Sequence, residues 1–327
     1  MSESIREKLI FTDNEQSFKD IALQLFGFQF HRNHVYQSFC MALGKNPSNV
    51  FETEKIPFLP ISMFRNHKIL AAESHELTFE SSGTTGFDTS RHYVHDIGLY
   101  EESFTAGFRN FYDNISDYTL LALLPSYLER KNSSLVYMVE RLIRDTEKLE
   151  SGFYLNDFDK LFESLIELKN KKKKTILIGV SFALLDFVQQ HSLDFPELIV
   201  METGGMKGRR KEIIRTELHS LLKAGFGVET IHSEYGMTEL LSQAYSKGEG
   251  LFSCPPWMKI YVRDLSDPLC IRHDGKSGGI NIIDLANMYS CSFIATDDMG
   301  KVFDDGTFEV IGRFDQATIR GCNTMIE

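Results

Sequence analysis

Between about residues 119 and 231 the sequence alternates short apolar runs with longer segments that have helical periodicity. The short runs predict buried strands at 119–124, 175–179, 198–202 and 227–231. The longer segments predict helices near 133–144 and at 158–168, 182–190 and 209–222. Because parallel strands need crossover connections of this length, the alternation predicts an α/β fold with a mostly parallel sheet flanked by helices.

The two ends of the chain have a different pattern. Residues up to about 75 predict helices, and within 17–43 one apolar face is formed by Phe18, Ile21, Ala22, Leu25 and Phe26. After about residue 253, short apolar runs at 258–262, 280–283 and 308–311 are separated by Asp-Gly turns, which are typical of β-hairpins. We expect a single domain over 1–327, with a helical part at about 1–75, an α/β core at about 76–252 and a β-rich part at about 253–327.

Charge and apolar patterning exclude several classes of protein. Acidic residues outnumber basic ones by 46 to 35, and the net charge of -11 would repel a phosphate backbone, so we expect no nucleic-acid partner. No run of about 18 apolar residues occurs, and residues 1–9 carry charges where a signal peptide is apolar, so we expect a cytoplasmic protein without a membrane span. The five cysteines include no C-x-x-C pair, which argues against a disulfide framework or a zinc site.

The first candidate site segment, residues 81–86, reads S-S-G-T-T-G and follows a predicted strand at 76–79. Glycine permits backbone conformations in which successive amides point at an anion. The candidate phosphate cradle therefore consists of Ser81, Ser82, Gly83, Thr84, Thr85 and Gly86. A flexible surface turn explains the same residues, and the segment fits neither the P-loop nor the dinucleotide-binding pattern.

The second segment, residues 233–239, reads S-E-Y-G-M-T-E and follows the predicted strand 227–231, where an open sheet binds its ligand. Tyr235 offers a flat face for a purine, Thr238 a hydroxyl for a phosphate and Glu239 a hard oxygen for Mg²⁺. A helix that begins with glutamate in its first turn explains the same residues.

The third segment contains T-D-D at 296–298, G-R-F-D at 312–315 and I-R-G-C at 319–322. A carboxylate such as that of Asp298 accepts hydrogen bonds from ribose hydroxyls, and an arginine such as Arg313 can bridge a ribose and a phosphate. Acidic hairpin turns explain the same residues.

The three segments, in this order, resemble the adenylate-forming superfamily of acyl- and aryl-CoA ligases. Within it, I-P-F-L-P-I-S-M-F at 56–64, E-T-G-G at 202–205 and the short C-terminus are most similar to the acyl-protein synthetase (LuxE-type) family, which activates fatty acids for the luciferase-associated fatty-acid reductase. The resemblance covers about residues 56–321. It implies the N-terminal-type fold of that superfamily, an α/β fold with a small β-rich C-terminal part, without the usual mobile C-terminal lysine domain.

The resemblance also implies an ATP site and a reaction. The glycine loop would contact the ATP phosphates, and Asp298 with Arg313 would contact the ribose. The remaining implied ATP contacts are Gly204 and Gly205 beside adenine, Tyr235 stacked on adenine with Gly236 next to it, Thr238 at the α-phosphate and Glu239 as the magnesium ligand. A carboxylic acid would react with ATP to give acyl-AMP, and the resemblance favours a fatty acid. The acyl group would then pass to a thiol.

Cys322 is the implied acyl acceptor, because acyl-protein synthetases use a cysteine near their C-terminus. The charge of Arg320 beside it would favour the thiolate. The implied partner is an acyl reductase or an acyl-carrier protein.

Two alternatives stay open at this point. A compact acyl- or aryl-CoA ligase would use coenzyme A and would not need Cys322. A non-catalytic subunit would keep the nucleotide fold and dock an acyl reductase or a carrier protein. Phe87-Asp88 stands where many relatives have Pro-Lys after the glycine loop, and Arg91 is a candidate replacement for that lysine.

Five other residues are assigned from their surroundings. We expect His92 and His95 on an exposed strand, and Cys40 and Cys291 in the core. His232 is a candidate for lining an acyl pocket.

Overall fold

The computed structural model describes residues 14–81, 89–124, 132–204 and 214–314. In chain order its helices are α1 Glu15–Arg32, α2 His34–Ala42, α3 Met63–Asn66, α4 Ile97–Tyr112, α5 Ser134–Thr146, α6 Phe158–Asn170, α7 Ser181–Gln190 and α8 Arg215–Phe226. Its strands are β1 Leu59–Pro60, β2 Leu77–Glu80, β3 Arg91–Val94, β4 Thr119–Leu123, β5 Gly152–Phe153, β6 Thr175–Val180, β7 Ile199–Thr203, β8 His232–Tyr235, β9 Ala244–Ser246, β10 Leu251–Phe252, β11 Met258–Arg263, β12 Gly278–Asp284, β13 Phe293–Val302 and β14 Phe308–Arg313.

The chain divides into two compact units. The first comprises residues 1–75, 93–95 and 256–327, and the second comprises residues 76–92 and 96–255. The expectation of a single domain over 1–327 stays a prediction. Among the described residues, no helix is both long enough and apolar enough to cross a membrane.

A mostly parallel sheet forms the centre of the second unit. Its strands lie in the order β5-β4-β6-β7-β8-β9, with β9 antiparallel to β8. Every residue of β4 and β6 is buried, which is why these strands read as continuous apolar runs. Helices α5 to α8 lie between the parallel strands along the chain, so the predicted α/β architecture is confirmed.

One predicted strand of this sheet is wrong. Residues 227–231 are not a strand, because Gly227 adopts the left-handed conformation (φ 66°) and ends α8 by donating its N–H to the Lys223 carbonyl. The strand is instead His232–Tyr235, so part of the S-E-Y-G-M-T-E segment is itself β-structure. The helix predicted at 209–222 is described from Arg215 onward and continues to Phe226.

The first unit contains an antiparallel sheet in the order β14-β13-β12-β11, with β1 parallel to β13. The turns before β12 and between β13 and β14 use Gly275 (φ 66°) and Gly306 (φ 82°), as expected for Asp-Gly turns. The predicted β-rich C-terminal part is therefore confirmed for the residues that are described. Cys40 and Cys291 are both buried in this unit, as predicted.

The helix predicted across 17–43 is two helices that separate at Asn33. The backbone N–H of Asn33 closes α1 on the Gln29 carbonyl, while its side chain accepts from the Tyr36 N–H at the start of α2. Its amide also donates to the Ser290 carbonyl at 3.0 Å. Because one buried side chain satisfies two backbone groups, it stabilises the break between α1 and α2.

Gln29 ties α1 to the segment between β12 and β13. Its amide nitrogen donates to the carbonyls of Asn287 and Met288 and to Ser292 Oγ, at 2.9 to 3.1 Å. Its amide oxygen accepts from the Ser292 N–H at 3.0 Å. All of these groups are buried, so their bonds cannot be replaced by water.

We predict that Gln29→Leu lowers the free energy of unfolding by about 3 kcal/mol, because it leaves buried carbonyls and an N–H without partners. Urea unfolding at neutral pH measures this change. Gln24→Leu, on the exposed side of the same helix, is the matched control and should change the free energy by less than about 0.5 kcal/mol. Equal effects of the two substitutions would contradict the prediction.

Candidate active site

Polar side chains meet at the carboxyl ends of β7 and β8 in the second unit. The parallel register places Glu202 opposite Ser233 and Thr203 opposite Glu234. The Thr203 hydroxyl donates to the buried Glu234 carboxylate at 2.5 Å. This is the edge at which open parallel sheets bind ligands, so the fold places the predicted site segments where chemistry is expected.

Glu202 is a second buried carboxylate at this edge. Burial opposes its ionisation, but nearby His219, with Nε2 3.7 Å from Glu202 Oε1, and the charge of Arg215 outweigh burial and hold the pKa of Glu202 below its ordinary value. The hydroxyl of Ser181, the first residue of α7, lies 2.7 Å from Glu202 Oε2 and 2.6 Å from the Gly204 carbonyl. Ser181 thereby links Glu202 to Gly204, one of the predicted adenine contacts.

The glycine of the Y-G-M-T-E segment is required by packing. A Cβ atom on Gly236 would lie 2.4 Å from Glu234 Oε1, and the Glu234 carboxylate is held by Thr203. Tyr235 ends β8 immediately before it. Residues 236–239 form no helix, so the alternative that this segment begins a helix is wrong.

Thr238 and Glu239 lie in a turn that β3 supports. Glu239 is only 5% exposed. The Nδ1 atom of His92 lies 2.8 Å from the Thr238 carbonyl oxygen. His92 was expected on an exposed strand, and this is wrong: the alternation of β3 turns its ring inward, and the residue is fully buried. Its neighbour Arg91 is exposed and pairs with Glu80 Oε1 at 3.3 Å.

The base of the predicted glycine loop is closed by two hydrogen bonds. The Ser81 N–H donates to the Ser90 carbonyl at 3.0 Å, and the Ser90 N–H donates to Ser81 Oγ at 2.9 Å. The predicted site residues Ser82, Gly83, Thr84, Thr85, Gly86, Gly205 and Cys322 lie outside the described residues.

In the first unit the structure brings Asp298 and Arg313 together. They are cross-strand neighbours on β13 and β14, with Arg313 Nε 3.3 Å from Asp298 Oδ1. The Asp298 side chain is 10% exposed and that of Arg313 is 79% exposed. The Asp298 N–H donates to Thr296 Oγ1, and the Thr296 hydroxyl donates to the Ile280 carbonyl. Asp298 is therefore anchored, while the arginine end is open to solvent.

Arg263 supports the T-D-D strand and was missed by sequence reasoning. Its guanidinium donates to the carbonyls of Ile280 and Thr296 and to Asn281 Oδ1. Burial lowers the pKa of Arg263, and the nearby charges of Asp297 and Asp298 act in the opposite direction. The sequence signal was the paired glycines at 278–279, because a Cβ atom on Gly279 would lie 2.5 Å from the Arg263 guanidinium carbon.

His232 opens β8 and lies beside Tyr112. Its Nδ1 atom is 3.0 Å from the Tyr112 hydroxyl, and the Tyr112 ring packs on Tyr245 with centroids 5.6 Å apart. Tyr245 lines a small apolar cavity together with Phe108, Leu120, Met138, Leu142, Ile176, Ile178 and Met201. A role for His232 at an acyl pocket stays a prediction.

Burial lowers the pKa of His232 to about 4 from its ordinary 6.5. The folded protein therefore binds fewer protons than the unfolded chain between these two pH values. The contribution of His232 to the free energy of unfolding is therefore fully present above about pH 6.5, and it is lost as the pH falls toward about 4.

We predict that His232→Asn, which keeps an acceptor near the position of Nδ1 but does not titrate, reduces the loss of unfolding free energy between about pH 7.5 and about pH 5. Urea unfolding at the two pH values measures the difference. The exposed His67, changed to Asn, serves as the control and should leave the pH dependence as it is in the unmodified chain. An unchanged pH dependence in His232→Asn would refute the lowered pKa.

Comparison with solved structures places the fold among adenylate-forming ligases. An open conformation of 2-hydroxyisobutyryl-CoA ligase, in complex with 2-HIB-AMP and CoA, matches with a TM-score of 0.70 at 9% identity, over 92% of this chain and 70% of that chain. ATP-bound MatB from Rhodopseudomonas palustris matches with a TM-score of 0.54 at 19% identity, over 75% of this chain. The match spans 48% of the MatB chain. The predicted superfamily fold is confirmed.

Sequence comparison identifies the family. A long-chain-fatty-acid--luciferin-component ligase from Aliivibrio fischeri is 25% identical over 342 aligned residues, which cover 95% of this chain and 88% of the relative. The family model for the acyl-protein synthetase LuxE matches residues 135–327, more than half of the chain. The predictions of a ligase and of acyl activation and transfer are confirmed, and the chain belongs to the LuxE acyl-protein synthetase family.

Proposed function

We propose that this enzyme uses ATP to activate a long-chain fatty acid as acyl-AMP and then transfers the acyl group to the thiol of Cys322. The main support is the Thr238–Glu239 turn, with Glu239 buried, after the carboxyl end of β8, in a fold shared with ATP-bound ligases. The long-chain acid is proposed because the Aliivibrio relative is named for it.

The donor groups of the described residues fit ATP with magnesium. Among those residues no group of three or more metal-ligating side chains occurs. Magnesium beside a nucleotide is ordinarily held by one or two carboxylates, phosphate oxygens and water, so the single carboxylate of Glu239 fits this chemistry. Asp298, held in place by its backbone bond to Thr296, offers oxygens to ribose hydroxyls. Magnesium would neutralise charge that develops on the phosphates.

In the first step, an oxygen of the fatty-acid carboxylate attacks the α-phosphorus of ATP. The bond from that phosphorus to the bridging oxygen breaks, and pyrophosphate leaves. The Thr238 hydroxyl would donate to the α-phosphate, and Gly204 and Gly236, which lack side chains, would let the backbone approach the nucleotide. Activation is needed because a carboxylate is a poor electrophile.

In the second step, the Cys322 thiolate attacks the acyl carbon, the bond to the phosphate oxygen breaks and AMP leaves. The charge of Arg320 would favour the thiolate. The product is a thioester on the enzyme, whose acyl group an acyl reductase or an acyl-carrier protein would take up.

We predict fatty-acid-dependent exchange of labelled pyrophosphate into ATP, and a loss of at least about 100-fold in exchange with Glu239→Gln. The substitution keeps the size of the side chain but removes the negative oxygen that binds magnesium. Glu229→Gln, at an exposed position before β8, is the matched control and should exchange at the unmodified rate.

Two results of this assay would contradict the proposal. No exchange by the unmodified chain with any acid of a broad fatty and aryl panel would overturn ATP-dependent activation. Exchange by Glu239→Gln at the unmodified rate would remove Glu239 from the magnesium site while leaving activation in place.

We predict that a labelled fatty acid stays on the protein in the presence of ATP and is released by neutral hydroxylamine, as expected of a thioester. Cys322→Ser should abolish this labelling. Cys270→Ser is the matched control, since Cys270 is an exposed thiol that has no role in the proposal. Labelling that survives Cys322→Ser would place the acceptor elsewhere, and consumption of coenzyme A without labelled protein would favour an acyl-CoA ligase.

A further inference from the structure

Strand β3 begins directly after Ser90 and contacts the Thr238–Glu239 turn through His92. The loop is closed at its base by the two hydrogen bonds between Ser81 and Ser90. Two residues after Ser90, the ring of His92 points inward and reaches the Thr238 carbonyl oxygen at 2.8 Å. Residues 90–92 therefore contact Ser81, the first residue of the predicted glycine loop, and the turn to which the proposed function assigns magnesium.

The direction of this hydrogen bond follows from chemistry. A carbonyl oxygen only accepts, so His92 Nδ1 must carry the hydrogen and donate it. The ring is fully buried, so the bond is shielded from water on the side of His92. The Thr238 carbonyl belongs to the peptide unit that leads into Glu239, so its orientation fixes where the Glu239 backbone begins.

We propose that His92 is a positioning residue that holds the Thr238–Glu239 turn in the orientation that the nucleotide requires. This inference rests on the proposed function, since it assigns His92 to the same ATP site. His92 acts through the Thr238 carbonyl and does not contact the substrate. Its removal would let the turn relax, so that Thr238 and Glu239 would no longer be held for the same nucleotide.

A second histidine close by provides a comparison. His95 makes the same kind of bond, with its Nδ1 atom 2.7 Å from the Ser74 carbonyl oxygen. This bond lies in the first unit and involves neither Thr238 nor Glu239. The two histidines therefore differ in what they hold, while the type of bond is the same.

The test uses the pyrophosphate exchange assay on the full chain with four proteins: unmodified, His92→Leu, His92→Asn and His95→Leu. Leucine removes the donor, whereas the asparagine amide nitrogen takes a position close to that of Nδ1. We expect His92→Leu to lower kcat about 10- to 100-fold and to raise the magnesium concentration for half-maximal exchange, with KM for the acid unchanged. We expect His92→Asn to recover most of both changes, and His95→Leu to match the unmodified chain.

Each outcome decides the inference. Exchange by His92→Leu with unmodified kcat and magnesium dependence would overturn it, and so would a His92→Asn variant that folds but is as slow as the leucine variant. If His92→Leu does not fold, as judged by thermal unfolding, the exchange rate and the magnesium dependence of His92→Asn alone test the role of His92. Loss of exchange in the unmodified chain would overturn the proposed function itself, whereas the results above overturn only the role of His92.

Discussion

The arrangement of side chains at the edge of the parallel sheet depends on the free-energy cost of burying negative charge. Glu202, Glu234 and Glu239 are all buried there, and a carboxylate removed from water must recover its hydrogen bonds from the protein or a ligand. Glu202 accepts one from the Ser181 hydroxyl, and Glu234 accepts one from the Thr203 hydroxyl. These bonds link successive strand ends and fix the backbone where the proposed nucleotide site begins.

In the first unit, the nearly buried carboxylate of Asp298 is accompanied by arginine side chains. The half-buried Arg263 joins the strand of Asp298, through the Thr296 carbonyl, to Ile280 and Asn281 on β12, and Asp298 faces the exposed Arg313 on the next strand. A guanidinium can satisfy several carbonyls and still leave its charge near a carboxylate. In both units, the side chains expected to touch substrate are oriented by residues that are not themselves expected to touch it.

Sequence reasoning succeeded where the signal is local. Continuous apolar runs located β4 and β6, and Asp-Gly pairs located the hairpin turns. It failed where a distant partner decides: His92 is buried because Thr238, 146 residues away, accepts its hydrogen bond. Gly227 was read as part of a strand because its role as a helix cap depends on backbone conformation, which composition does not encode. The role of Arg263 is hard to predict because two of its three acceptors are backbone carbonyls, which no residue type marks, and the glycine pair at 278–279 is only an indirect signal.

The missing side chain at Gly236 has a consequence for how this segment can vary. The space that a Cβ atom would occupy is taken by the carboxylate of Glu234, two residues earlier in the chain. A larger residue at 236 would displace the Glu234 carboxylate from Thr203 or would accompany a shorter residue at 234, which would also release Thr203. Substitutions at these three positions should therefore be accepted together or not at all among homologous chains.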